Sequence, residues 1–240
     1  MDYTNENYKF IGSLSKVFEQ KIYQRLRNKV VLDLGCGSGV YLKQFSKNSV
    51  GVDGSPQNVI LAGNSGHKIL QMNLNSPINL DRKFEAVFSS HVIEHVESPI
   101  EYLLYANRHL NDGGIFILSI PNEDALIHLK YPYFTRDGNH LYAFSEDNIQ
   151  ELLGYTGFKQ VECIYDVQTE LTRKLKIGWM LEVVMKFSPK FIKKKLAWSF
   201  WFVSIKDNSN NNIRGGLKNV QAWKHANPIP QWKSKKITLR

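Results

Sequence analysis

The sequence predicts an α/β fold, a mostly parallel seven-stranded sheet with helices on both faces. Three observations carry that expectation. Short apolar strands alternate with amphipathic helical runs from Lys29 to Val167. The stretch VVLDLGCGSGV, Val30 to Val40, runs from a strand straight into three alternating glycines. The chain has 240 residues, 42% of them hydrophobic, enough for one full-sized core rather than two.

Each element has its own signal. From Asn5 to Arg27, the residues Phe10, Ile11, Leu14, Val17, Phe18, Ile22 and Leu26 recur at spacings of three and four, an amphipathic lead-in helix within residues 1–28. The first strand is Lys29 to Leu34. A helix is expected over Val40 to Ser46, before a second strand in SVGVDGS, Ser49 to Ser55. Pro56 suits the first turn of the next helix, which fades into Gly63, Asn64, Ser65 and Gly66. HKILQMN, FEAVFSS and IFILSI read as strands three to five. A helix from Pro99 to Leu110 and an Asn111-Asp112-Gly113-Gly114 turn separate the last two. Ser145 is placed as the N-cap of a helix ending near Gly154, and FKQVECIYDV follows as strand six. A basic, apolar helical insertion or lid occupies 167–196, and WSFWFVSIK is the last strand. These elements make one domain over 1–206. The tail, 207–240, is polar and Pro-containing and is expected to be poorly ordered.

Charge is distributed unevenly. Residues 1–170 carry 15 basic against 20 acidic side chains, whereas residues 171–240 carry 16 against 2. The overall +9 therefore belongs to the C-terminal third. No apolar run approaches the roughly 20 residues of a spanning helix, and MDYTNENYKF lacks the order of a signal peptide. A cytoplasmic protein is expected, peripheral at the inner membrane face if the basic segment meets lipid. Cys36 and Cys163 match neither a disulfide framework nor a metal pair, so both are expected as reduced thiols.

Three glycines in five residues cannot pack a core, so they serve the path of the backbone. A glycine loop between a strand and a helix at the start of an alternating pattern is where a nucleotide ligand sits in such sheets. A dinucleotide enzyme would place its third glycine at position 40, which is Val40; the spacing here is Gly35, Gly37, Gly39.

With VLDLGCGSG, the acid of GVDGS, FEAVFSSHVIEHVESP, LNDGGIFILSIPN and HLYAFSEDNIQELLGYTGF in this order over Val30 to Val161, the chain resembles the class I S-adenosylmethionine-dependent methyltransferases. It is similar to their small-molecule type, which includes ubiquinone-biosynthesis and sugar O-methyltransferases. The resemblance implies a Rossmann-like, doubly wound sheet with an antiparallel last strand, and S-adenosyl-L-methionine as cofactor. It places Asp33, Gly35, Cys36, Gly37, Gly39, Asp53, Gly54, Asn73, Leu74 and Ser90 around that cofactor. Asp53, ending strand two, can accept from both ribose hydroxyls. Asp33, inside strand one, is costly to bury unless it accepts from the loop or from the cofactor's amino group. Asn73 stands where the family often has an acid for the adenine amino group, and Leu74 would cover the ring.

If the acceptor is a hydroxyl, a base must take its proton as the oxygen gains the methyl. His91 and His140 are the candidates on the acceptor side. His91, Glu94 and His95, at i, i+3 and i+4, match the place of a Glu, Glu, His trio that can hold a divalent cation in ubiquinone-pathway members. The alternative is that Glu94 and His95 hydrogen-bond the loop while His91 lines the acceptor site. The sequence thus points to methyl transfer to an oxygen, or secondarily a nitrogen, of a small or lipid-linked metabolite such as a sugar or quinone precursor. The rival is an RNA methyltransferase using the basic C-terminal third, whose Trp198, Trp201, Trp223 and Trp232 stand among lysines. SSHVIEH, however, is not the Asn/Asp-Pro-Pro-aromatic loop of many enzymes that methylate amino groups of nucleic acids. Contact with an anionic membrane is a further expectation, through Lys190, Lys193, Lys194 and Lys195 with Trp198 at the boundary.

Overall fold

A computed structural model describes residues 14–122, 125, 140–167 and 178–207. They form a seven-stranded sheet of β1 (Val31–Leu34), β2 (Val50–Asp53), β3 (Lys68–Gln71), β4 (Phe84–Ser90), β5 (Leu110–Pro121), β6 (Phe158–Asp166) and β7 (Ser199–Lys206) in the order β3-β2-β1-β4-β5-β7-β6. Strands β1 to β5 pair in parallel, and β7 runs antiparallel between β5 and β6. The expected doubly wound sheet with an antiparallel last strand is the observed one.

Alternate residues of the strands feed two apolar layers. Leu32, Leu34, Val50, Val52, Val87, Phe116, Leu118 and Ile120 face one way. There they meet α3 (Pro99–Arg108) through Tyr102, Leu103 and Ala106, and α4 (Glu146–Tyr155) through Ile149 and Leu153. Val31, Ala86, Phe88, Ile117, Trp201 and Val203 face the other way, under the lead-in segment. That segment is a π-turn, Phe18–Ile22, followed by α1 (Tyr23–Leu26). Phe18 is its anchor, with ring centroids of Tyr41, Phe88 and Phe45 at 4.7, 5.7 and 6.0 Å. The start of the expected lead-in helix lies outside the described residues, as do the tail from 208 and residues 168–177 of the insertion.

Two local expectations are corrected. No α-helix forms over 40–46, where a single 3-10 turn (Leu42–Gln44) stands. Leu42 and Phe45 there turn into the core, and Gly39 just before is held at φ 78°. The Asn111–Gly114 turn does not precede β5 but bulges within it. Leu110 already pairs with Phe84, and pairing resumes at Ile115 opposite Ala86, with Gly113 at φ 70°. The cap of α4 is as expected, Ser145 Oγ accepting from the Asn148 N–H at 3.2 Å.

Candidate functional site

The carboxyl ends of β1, β2, β4 and β5 share one edge of the sheet, the edge at which ligands bind in open α/β folds. At its β1–β2 corner the site is made of backbone. The N–H groups of Gly35 and Cys36 donate to the Val52 carbonyl at 2.8 and 3.0 Å, and the Gly37 N–H donates to Asp53 Oδ2 at 2.8 Å. Asp53 Oδ1 accepts from the Ser55 N–H at 2.9 Å and from Asn58 Nδ2 at 3.1 Å. The Asp53 carboxylate thereby ties the glycine loop to the first turn of α2 (Pro56–Gly63), which Ser55 caps and Pro56 opens.

Gly35 has φ 77°, and a Cβ on it would lie 2.3 Å from Val92 Cγ2. Its missing side chain thus makes room for protein as well as bending the loop. Gly51 opens the GVDGS stretch but had no role assigned from sequence, yet a Cβ there would meet Cys36 Sγ at 2.8 Å and Leu42 Cδ2 at 2.9 Å. Cys36 turns its thiol into that space, and burial, followed by the charges of Asp33 and Asp53, pushes it far above the ordinary thiol range. Only the backbone of Cys36 faces the loop's chemistry.

Asp33 is buried in β1, and its Oδ2 has no hydrogen-bond partner among the described residues. The glycine loop does not reach it. Burial first, and the Asp53 charge second, raise its pKa well above the carboxylate range. A buried acceptor next to a second acid is suited to a cationic N–H donor. At the β2–β3 end, Asn73 is exposed and its Oδ1 accepts from the Asn75 N–H at 2.9 Å, while Leu74 packs on the core. Gly54 is open, since a Cβ placed on it would meet nothing nearer than the Met72 carbonyl at 3.6 Å. Ser90, ending β4, hydrogen-bonds the phenol of Tyr41, a residue without a sequence signal beyond its place after Gly39. Burial lifts the Tyr41 phenol to about 12.

The β4–β5 corner is made of side chains. His91 has φ 55°, a left-handed conformation rare for a non-glycine residue, and its N–H donates to the Ser119 carbonyl at 2.9 Å. Its ring stacks on Trp198 at 5.5 Å and 15°. Trp198 thus lies half-buried against the His91 ring. A 3-10 turn, Ile93–His95, then places Glu94 at the centre. Glu94 is 0% exposed and neither carboxylate oxygen has a hydrogen-bond partner among the described residues. Two imidazoles face it, with His91 Nδ1 at 3.6 Å and His95 Nε2 at 4.0 Å from Oε1. His140 lies edge-on to His95, centroids 4.7 Å apart.

The loop after His140 is held by the Glu94 backbone, whose carbonyl accepts from the Leu141 and Tyr142 N–H groups at 2.8 and 3.3 Å. The carboxylate is left for something else. Ligand atoms of Glu94, His95 and His140 lie within 4.8 Å of one another. His140 thus stands in the cluster where the i, i+3, i+4 spacing placed His91. One carboxylate and two imidazoles are a donor set for a divalent cation such as zinc. Asn122, also missed, holds the segment entering β7 by donating from Nδ2 to the Lys194 and Ala197 carbonyls, each at 2.6 Å.

This geometry agrees with what the chain is similar to. A family profile for a methyltransferase domain matches residues 7–163, more than half of the chain. A tRNA U34 carboxymethyltransferase of Shewanella loihica is 29% identical over 171 residues, covering 65% of this chain and 51% of that protein. Its counterpart from Actinobacillus succinogenes is 25% identical over 171 residues, covering 65% and 53%. The chain spans about half the length of these curated relatives. Among solved structures, an S-adenosylmethionine-dependent methyltransferase from Mesorhizobium loti superposes with a TM-score of 0.58 at 14% identity, over 75% of this chain and 92% of that one. Another from Archaeoglobus fulgidus gives 0.57 at 18%, over 79% and 91%. A glycine loop tied to the acid that ends β2, the strand order, and a domain match across the cofactor half come together in one assignment: the chain belongs to the class I S-adenosylmethionine-dependent methyltransferases.

Proposed function

We propose that this enzyme methylates an oxygen of a small or lipid-linked metabolite such as a sugar or quinone precursor. The observation that carries the reading is the buried Glu94 carboxylate flanked by His91, His95 and His140 at the acceptor side of the loop. When bound, S-adenosyl-L-methionine supplies a methyl carbon activated by its sulfonium. On the cofactor side, the unpartnered Asp33 Oδ2 fits the ammonium of the amino-acid tail, and the one acceptor site that three hydrogen bonds leave on Asp53 fits a ribose hydroxyl. Ser90 and Leu74 bound the same region.

On the acceptor side, His140 or His91 takes the hydroxyl proton as the oxygen attacks, and Glu94 stabilises the imidazolium that results. A fully buried carboxylate without hydrogen bonds costs several kcal/mol, on the order of 2 to 7 for a lone polar group, unless a positive charge answers it. An imidazolium answers it during turnover. A divalent cation on Glu94, His95 and His140 would answer it permanently and orient an acceptor diol.

A second reading has its own support: the curated relatives carry the name of a tRNA-modifying enzyme, and residues 171–240 have 16 basic against 2 acidic side chains. The experiment is a turnover screen with methyl-labelled cofactor across sugar, quinone-precursor and tRNA acceptors, run with and without chelator. Label in sugar or quinone precursors supports the proposal. Label confined to tRNA replaces it, and activity unaffected by exhaustive chelation removes the cation.

A further inference from the structure

Beyond the reaction itself, α5 (Gly178–Phe187) is apolar on two sides. Met185 is buried and Leu181 packs against the core, fixing the helix to the domain. Met180, Val183, Val184 and Phe187, at i, i+3, i+4 and i+7, share the other face. They are 50%, 52%, 49% and 80% exposed, and Phe191 of α6 (Lys190–Leu196) extends the stripe at 69%. A helix that packs on a core normally turns charge outward. This one turns out Glu182 and Lys186 but sets four large apolar side chains among them.

We infer that α5 and α6 form a docking surface for an anionic lipid bilayer, lying in the interface with Met180, Val183, Val184, Phe187 and Phe191 among the acyl chains and lysines at the headgroups. Charge selects the occupant. Residues 178–197 hold five lysines and a single acid, Glu182. Exposed Lys186 sits 5.9 Å from the Phe187 ring centre, at the border of the stripe. Lys190 and Lys194 are not part of this rim as the sequence suggested, because they pair with Glu146 and Asp147 at the start of α4, at 2.9 to 3.3 Å.

A second copy of the same face would bring like charges together. So would residues 208–240 of the chain, with seven basic and no acidic side chains. Phe187 and Phe191 are rings on which bases stack, but Met180, Val183 and Val184, the larger part of the stripe, offer RNA nothing and are accepted by acyl chains. Two short helices in tandem can only lie in the interface, and no helix among the described residues is long and apolar enough to cross a membrane. The inference concerns the surface and stands whichever acceptor is methylated.

The test is sedimentation of the full chain with phosphatidylglycerol-containing and pure phosphatidylcholine vesicles at low and high salt. Wild type should bind the anionic vesicles, and lose about tenfold or more in affinity at high salt. Val183→Asn/Phe187→Asn and, separately, Lys186→Glu should each weaken binding by a similar factor. All three positions are exposed, so cofactor affinity, measured by calorimetry, should stay at the wild-type value. Negligible binding to both vesicle types overturns the inference. So does anionic binding that survives Val183→Asn/Phe187→Asn, which would assign it to charge elsewhere. A dimer in light scattering that the same double variant dissolves would make the face a self-association surface, and vesicle binding abolished by competing RNA would make it a nucleic-acid surface.

Discussion

The two corners of the site are built on opposite principles. At the β1–β2 corner, backbone N–H groups from Gly35 to Ser55 are paired with Val52 and Asp53 within a short stretch of chain, and one polar atom, Asp33 Oδ2, stands unanswered. At the β4–β5 corner, His91, Glu94, His140 and Trp198 come from three distant segments, and both Glu94 oxygens and the Trp198 indole N–H lack hydrogen-bond partners. The first corner is rigid because its hydrogen bonds are satisfied. The second is held by packing and strain around a carboxylate that the fold alone has no use for. On the function proposed above, a constant ligand fits the one and a variable acceptor the other.

The sharpest way to break the comparison is Gly35→Ala. A left-handed φ and a Cβ 2.3 Å from Val92 should together cost about 3 kcal/mol or more, seen as a lower denaturation midpoint and poor soluble yield. A fully stable Gly35→Ala protein would mean that the loop is not locked. Asp53→Ala comes next. It removes three hydrogen bonds to a carboxylate, and calorimetry should show S-adenosylmethionine affinity down by about tenfold or more. Unchanged affinity in a folded protein would detach Asp53 from the cofactor.

Glu94→Gln sharpens the other half. Removing a buried charge without hydrogen bonds should leave the melting temperature equal or higher, while turnover falls by about tenfold and cofactor affinity holds. A marked loss of stability would make Glu94 structural. His140→Ala and His91→Ala should likewise lower turnover more than affinity, each measured by the split between kcat and cofactor binding.

The smallest effect is a control from the opposite edge of the sheet. His109 donates from Nδ1 to the Tyr105 carbonyl at 2.8 Å and accepts the Leu80 N–H on Nε2 at 3.0 Å, which requires a neutral ring. Burial, aided by the Arg108 charge, holds its imidazolium below the ordinary 6.5. Below pH 6.5 the unfolded chain takes up a proton that the folded chain refuses. Stability should therefore be full above 6.5 and fall as the pH drops through the lower folded value. His109→Gln should flatten that slope in urea denaturation at several pH values and leave the pH profile of turnover unmoved.

The same contrast explains what could be read from sequence. The strands were legible because alternation feeds two layers, Leu32 and Leu34 into one and Val31 into the other. The glycine loop and Asp53 were legible because their bonds span few residues. The missing helix at 40–46 was not, since Tyr41 and Phe45 are drawn to Phe18, a contact that local propensity cannot foresee. Nor did spacing reveal that His140 would meet His95, or that Lys190 and Lys194 would be claimed by Glu146 and Asp147. Only tertiary contact decides such pairs.

The place of β7 has a consequence for how the molecule comes into being. A ribosome delivers β5 and β6 well before Ser199 to Lys206, yet in the finished sheet those eight residues lie between them, antiparallel to both. Until Lys206 has emerged, β5 and β6 each lack a neighbour on their facing sides, and Phe200 to Val203 are missing from the two layers they later complete. The nascent chain thus holds the whole glycine loop while its sheet is still split, with two open strand edges inviting wrong pairing. Closure is the late, long-range step, and the β4–β5 corner, with Trp198 immediately before β7, is finished by the same event.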